Sequence, residues 1–397
     1  MSLDRPTLLV FSSLYPSQVR PNAGVFIRER MTRVAEHCAM VVVSPVPWFP
    51  FQSLIRLFKP NYRLQPASHE HQAGIEVYFP RFFALPGIGR TWDGLSMALS
   101  CVPLLFRLKK SFAFNVIDAH FAYPDGYAAT WLGRWFDVPV TITLRGTEVP
   151  LSRIPSRRQR LLNALHRATV VFSVADALKR HVVALGADAT KIHVVGNGVD
   201  NAKFHPIDRW LAREQLKLAD DAQVLISVGG LVDRKGYHRV IEILPELLKK
   251  HPKLVYVIVG GASPEGDNRL QLERQIVDLG LQEHVRFLGA MAAEQLHVPL
   301  SAADIFVLAT ANEGWANVFL EAMACGLPVV TTDVGGNREV VSDAYLGTLV
   351  PFGDAKALTL ALGNALNAVW DRQAIMDYAS QNSWNQRISQ LLTCFNA

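Results

Sequence analysis

Short apolar runs alternate with longer stretches in which charged and apolar residues recur at helical spacing. The pattern predicts strands at 7–13, 40–46, 115–121, 138–144, 169–174 and 191–195. Helices are predicted between them, at 25–37, 95–110, 125–136, 156–168 and 175–185. The strands are short and mainly apolar, as in a parallel sheet covered on both faces. Segment 47–90 is rich in proline and aromatic residues and holds one further predicted strand, 74–80. A turn-rich connection follows at Gly196-Asn197-Gly198 and 201–206, and the alternation then restarts. Strands are predicted at 224–228, 254–259, 284–288, 304–309, 328–332 and 348–350, with helices at 237–250, 268–279, 293–301, 316–325 and 356–370. The expected fold class is therefore α/β, with two doubly wound, Rossmann-like domains at 1–199 and 200–377. Facing domains leave a cleft, where ligands bind at the carboxyl ends of strands.

One stretch concentrates chemistry on that frame: 311–330, ANEGWANVFLEAMACGLPVV. A helix should begin near Ala316 and stop at Gly326-Leu327-Pro328. Glu313 then lies on the loop before it and Glu321 inside it. First-turn N–H groups lack intrahelical partners and the helix dipole adds positive charge there. The stretch offers an anion site flanked by two carboxylates, which suits a phosphate carrying hydroxyl-rich groups.

Other segments add to it. SVGGLVDRKGYHRV (227–240) leaves a strand through Gly229-Gly230, where backbone can approach a ligand, and places Arg234 and Lys235 at the strand exit. It is not a Walker loop. YPSQVRPNAGVF (15–26) follows the first strand, with Gly24 opening a helix. His120, Arg145 and Glu148 lie at strand ends; the latter two also read as a surface ion pair of small value. Gly335-Gly336-Asn337-Arg338-Glu339 follows another strand. No Asp-x-Asp pair occurs, so a leaving diphosphate would be stabilised by Arg234, Lys235 and the helix start rather than by a metal.

Charge divides unevenly along the chain. Residues 1–199 carry an excess of Lys and Arg, residues 200–397 an excess of Asp and Glu, within a net charge of +5. A basic first half fits contact with an anionic membrane or lipid phosphate. Trp48-Phe49-Pro50-Phe51, Leu54-Ile55-Arg56-Leu57-Phe58-Lys59 and 104–110 mix apolar and basic residues as interfacial segments do. Nucleic acid is disfavoured, since no long basic run or reading motif appears. The 4 cysteines are scattered without a CxxC pair, which suits a reducing compartment. No signal peptide and no apolar run of about 20 residues is apparent. A cytoplasmic protein is expected, with peripheral contact at the inner membrane face as a further expectation.

On these motifs the chain resembles glycosyltransferase family 4, the retaining, metal-independent transferases of GT-B fold. EGWANVFLEAMACGLPVV looks like the family's pair of glutamates with seven residues between them; VGNGVDNAKFHP resembles its inter-domain segment and SVGGLVDRKG its donor-phosphate segment. YPSQVRPNAGVFIRERM and AHFAYPDGYAA resemble its N-terminal loop and acceptor-side segment. NSWNQRISQLLTCF resembles the terminal helix that returns to the first domain, here 378–397. The N-terminal pattern is most similar to bacterial polysaccharide and teichuronic-acid-type members.

The resemblance implies a nucleotide-sugar donor, a lipid-linked or polysaccharide acceptor, and no metal or other cofactor. By position, Glu321 would hold the ribose and Glu313 the donor sugar. Backbone of Trp315, Ala316, Asn317 and Val318 would hold sugar and phosphate, and Arg234 and Lys235 the diphosphate. Gly24 would close over the diphosphate from the first domain, and Gly230 would let backbone approach the phosphates. The segment 286–289, ending at Gly289, would lie by the base. His120 would touch the donor sugar at the reacting face, and Arg145 and Glu148 would face the acceptor. Trp315-Ala316-Asn317 stands where many members have Phe-Gly-x, which bears on the sugar accepted. Two other functions suit the same scaffold: a nucleotide-sugar epimerase, and a non-catalytic nucleotide-sugar-binding scaffold.

Overall fold

The computed structural model describes residues 6–395 except 22, 60, 61, 88, 90 and 264. The chain divides into two compact units. The first takes Met1–Gly196 and Arg387–Ala397, the second Asn197–Gln386. The division thus falls after Gly196 rather than after 199, and the return comes at Arg387 rather than at 378. The reason is local pairing. Val199 forms a parallel bridge with Ser383, and its N–H and C=O bond Asn382 O and Trp384 N. The expected terminal helix is two helices, Arg372–Gln381 and Trp384–Phe395; residues 396–397 of the expected span lie outside the described residues.

The first unit holds an 8-stranded sheet. Across it run Ile192–Val194, Val170–Ser173, Val140–Leu144, Val116–His120, Leu8–Phe11, Met40–Val43, Ile75–Tyr78 and His69–Gln72. All neighbours are parallel except the last pair. That hairpin, and a small sheet pairing Val46–Trp48 with Arg81–Phe83, organise the segment that showed no regular period. The order places Leu8–Phe11 centrally, so the loop after it lies among the carboxyl ends of its neighbours.

The second unit holds a 6-stranded parallel sheet: Val285–Gly289, Leu254–Val259, Gln223–Val228, Ile305–Leu308, Val329–Thr332 and Gly347–Val350. Val224, Ile226 and Val228 enter one core, whereas Leu225 enters another on the opposite face. Burial on both faces is why these strands are mostly apolar on both alternating sets of positions. Among the described residues no helix is long and apolar enough to cross a membrane.

Candidate functional site

In the second unit, strand Gln223–Val228 leaves through Gly229-Gly230 into a 3-10 turn, Asp233–Lys235, and then helix Tyr237–Leu248. The turn projects Arg234 and Lys235. Across from it, the loop after Ile305–Leu308 carries Glu313, whose side chain is 9% exposed. Glu313 Oε1 accepts from Lys235 Nζ at 2.7 Å, Arg234 Nη1 at 3.1 Å and Thr310 Oγ1 at 3.2 Å. Arg234 Nη1 also donates to Asn312 O at 2.9 Å. Its Nε and Nη2 grip Glu265 at 2.9 and 2.7 Å, a fork matched to a carboxylate. These bonds strengthen Arg234's hold on its proton and keep the Glu265 carboxyl below its usual range. Two cations and two carboxylates thus neutralise one another.

Backbone fixes the position of this cluster. Ala311 N donates to Arg234 O at 2.8 Å, and Thr310 Oγ1 lies 3.1 Å from the same oxygen, which competes with Glu313 for the single hydroxyl proton. On the other side, Gly336 N donates to Glu313 O at 3.1 Å. Gly335 has φ +54°, and a Cβ there would stand 1.8 Å from Glu313 O, so only glycine fits. The Gly335-Gly336 turn therefore supports the Glu313 loop from below.

The site helix is Asn317–Ala324, preceded by Ala316 with no side-chain cap. It ends at Cys325, followed by Gly326 at φ +78°. Its leading amides, those of Asn317 and Val318, have no intrahelical acceptor by position. Asn317 Oδ1 accepts from Asn197 Nδ2 at 2.9 Å, which ties the Gly196-Asn197-Gly198 turn to the helix start. Ala316 is buried, and Trp315 and Val318 pack against the same core. Glu321 sits half-buried one turn beyond Asn317, on the same helix face. Gly230 meets the loop after Leu254–Val259: a Cβ there would lie 2.9 Å from Ser263 Cβ. Gly289 ends the edge strand with open space beside it.

The first unit places its predicted residues differently. Gly24 begins helix Val25–Ala35 at φ +67°, where a Cβ would stand 2.0 Å from Leu14 O. Close contact with that carbonyl demands the glycine before any ligand does. His120 is not at an open edge but fully buried. Its Nδ1 accepts from Arg145 Nε at 3.2 Å, and its Nε2 lies 3.6 Å from Asp118 Oδ2, too far for a hydrogen bond. Burial, with the charges of Arg145 and Arg30, holds the ring neutral. An arginine cannot accept, so the neutral ring is assigned its proton on Nε2. Burial raises the Asp118 carboxyl above its usual range, with Thr141 and Arg30 acting against it.

Arg145 and Glu148 are not a surface ion pair. Glu148 is fully buried, and its carboxylate accepts from Ala122 N at 3.1 Å, Arg145 N at 3.2 Å and Gly146 N at 2.8 Å. It fixes the turn that carries Arg145, and the Arg145 guanidinium lies 5.0 Å from the Phe26 ring centroid. Asp125 is equally enclosed and accepts from Ser13 N and Ser13 Oγ. Burial pushes its carboxyl up to about 7.

Several residues here had no assigned role in the sequence reading: Glu265, Thr310 and Asp118, and Arg30 and Asp125 within the segments 15–31 and 119–129. Asp118 had a signal, since it stands two before His120 in a strand and so shares its face. Glu265, on an irregular loop, had none. Among the described residues no group of three or more His, Cys, Asp or Glu side chains is placed to hold a metal ion.

Known proteins share this layout. The model for Glycosyltransferase Family 4 matches residues 31–203, and that for Glycosyl transferases group 1 matches residues 208–382. The chain is 28% identical over 334 residues to the provisionally named teichuronic acid biosynthesis glycosyltransferase TuaC of Bacillus subtilis, covering 83% of this chain and 81% of that one. It is 38% identical over 168 residues to a GDP-mannose-dependent alpha-(1-6)-phosphatidylinositol monomannoside mannosyltransferase of Mycolicibacterium smegmatis, covering 41% and 43%. Among solved structures, Anabaena HepE in complex with UDP superposes with a TM-score of 0.75 at 19% identity, over 98% of this chain and 99% of that one. The two family models meet near residue 205, and both sheets are parallel apart from one edge pair in the first. The chain belongs to the family 4 glycosyltransferases and has their GT-B architecture.

Proposed function

We propose that the protein transfers a sugar, with retention of configuration and without a catalytic metal, from a nucleotide sugar to a lipid-linked or polysaccharide acceptor in bacterial surface-glycan synthesis. The observation that carries this reading is the Glu313 carboxylate bound by Lys235 and Arg234, directly ahead of a helix start with open amides. The UDP held by HepE, on the same fold, favours a nucleotide sugar as donor. As the diphosphate arrives, Lys235 and Arg234 turn their charge to it. Glu313 is then left to accept from the sugar hydroxyls, and Glu321 from the ribose. Amides at 315–318 face sugar and phosphate, Gly230 keeps backbone close to the phosphates, and Gly289 adjoins the base.

In the reacting step the bond from the anomeric carbon to the diphosphate oxygen breaks. The acceptor oxygen bonds the same carbon from the same face, and its proton passes to the departing diphosphate oxygen. Lys235, Arg234 and the helix amides stabilise the charge that develops there. His120 supplies an N–H from Nε2 and no base, which fits a step in which the leaving group takes the proton. Arg145 fixes that tautomer, and Glu148 holds Arg145; the two act on the acceptor side through His120. The test is transfer from UDP-, GDP- and ADP-sugars, followed by NMR of the product anomer with and without EDTA. A product of inverted configuration, or full loss in EDTA restored by Mn²⁺, would overturn the mechanism.

Membrane contact is a second reading, carried by Phe51, Leu54, Leu57 and Phe58. All four are exposed in the first unit beside Arg56 and Lys59. Apolar side chains flanked by cations favour an anionic bilayer surface. Sedimentation with phosphatidylglycerol vesicles at low salt should carry the protein down, and no binding there removes this reading.

A further inference from the structure

The loop after the central strand of the first unit contains polar groups with nothing to bind. Tyr15 and Ser17 are buried, yet Tyr15 Oη and Ser17 Oγ have no hydrogen-bond partner among the described residues. Arg20 has two guanidinium nitrogens, Nε and Nη2, shielded from solvent and equally without partners. The loop is not loose. Ser17 and Arg20 exchange both backbone hydrogen bonds, at 3.2 and 2.9 Å. Gln72 Nε2 donates to Pro16 O at 3.0 Å, and Gln18 N donates to Glu70 Oε1 at 3.2 Å. Glu70, the carboxylate that touches this loop, is thereby engaged: its other oxygen accepts from Gln72 Nε2 at 2.7 Å. It does not neutralise Arg20. A second cation, Arg28, stands in the first turn of helix Val25–Ala35 without a carboxylate partner among the described residues. Its charge reaches the Tyr15 phenol, opposing the burial that pushes that group up to about 12.

A guanidinium with two of its three nitrogens shielded and no anion beside it is costly unless something outside the chain supplies the charge. Two hydroxyls and a second cation on the same short stretch add the donors an oxyanion needs. We propose that Arg20, with Ser17, Tyr15 and Arg28, is a subsite for an anionic group, phosphate or carboxylate, on the acceptor. The assignment to the acceptor rests on the glycosyltransferase reading above, in which Lys235 and Arg234 of the second unit hold the donor's diphosphate.

The test is thermal unfolding of the full chain, wild type and Arg20→Gln, with Ser17→Ala as a second variant. UDP is titrated first; its stabilisation of the wild type checks the donor reading independently. Inorganic phosphate and glucuronate are then titrated with UDP at saturation, so that the second unit's cations are occupied. One of the two anions should raise the wild-type midpoint further, and which one does so separates phosphate from carboxylate. Arg20→Gln should lose at least tenfold in affinity for that anion, Ser17→Ala less, and both should keep the UDP response. Without ligand, Arg20→Gln should unfold at the same or a higher temperature than wild type, because an unpaired shielded cation has been removed. A lower ligand-free midpoint, or an anion response equal in wild type and variant, overturns the subsite. Loss of the UDP response in Arg20→Gln overturns its assignment to the acceptor and moves the anion to the donor.

Discussion

At the strand ends of the second unit, Arg234 and Lys235 each lie against a carboxylate. At the corresponding ends of the first unit, Arg20 and Arg28 have none among the described residues, and the buried carboxylates are engaged by backbone N–H groups or hydroxyls instead. The second unit's site is neutral before a ligand arrives, so binding must exchange one ion pair for another. The first unit's is uncompensated, and a ligand relieves it. Opposite responses to substitution follow.

The largest effect falls on Glu313, where the exchange takes place. Glu313→Gln should lower the transfer rate about 10²–10³-fold, the size seen when a group stabilising a transition state is removed. Initial-rate measurements with folding checked by circular dichroism decide it, and near-normal transfer breaks the second unit's half of the comparison.

Next is Asp125 in the first unit. Its carboxyl titrates at about 7 when folded and at its ordinary value of 3.8 when unfolded. Between those values the folded state binds more protons, so its stability is full below pH 4 and declines as pH rises to 7. The full decline should be on the order of 4 kcal/mol, with roughly 2–3 kcal/mol of it between pH 5 and pH 8, and Asp125→Asn should flatten it. Urea unfolding of both proteins at pH 5 and pH 8 measures this, and equal slopes in the two refute it.

Glu148→Gln sharpens the same half. An amide NH₂ facing backbone N–H groups leaves donors opposed, at a cost of about 1–3 kcal/mol. A stability unchanged in urea would mean that the turn holds without its carboxylate. The smallest effect belongs to Glu265, half-exposed beside Arg234. Glu265→Gln should alter stability by less than about 1 kcal/mol, as exposed pairs do. It should still tighten UDP binding a few-fold by calorimetry, since one competitor for Arg234 is gone. Weaker binding would show that Glu265 positions Arg234 rather than competing for it.

The fold was legible because both sheets are buried on two faces, which writes most strands as mainly apolar runs. Segment 47–90 was not, because its short strands carry proline, histidine and charge, and only pairing defines them. In the second unit the site could be read from order along the chain, since Glu313, the helix start and Glu321 are contiguous. Glu265 comes from a separate loop and joins only through Arg234. In the first unit the residue types at 145 and 148 suggested a surface pair. Their burial, and the backbone amides that engage Glu148, arise from tertiary packing that local sequence does not encode.

The turn at Gly335 has a consequence for how such a protein can diverge. It grips Glu313 through main-chain atoms alone, so the position of Glu313 does not depend on which side chains follow it. Under the proposed donor reading, a change of side chain at 315 or 317 would leave these main-chain contacts of Glu313 in place. Position 335 has no such freedom: any side chain there displaces Glu313 whatever the sugar.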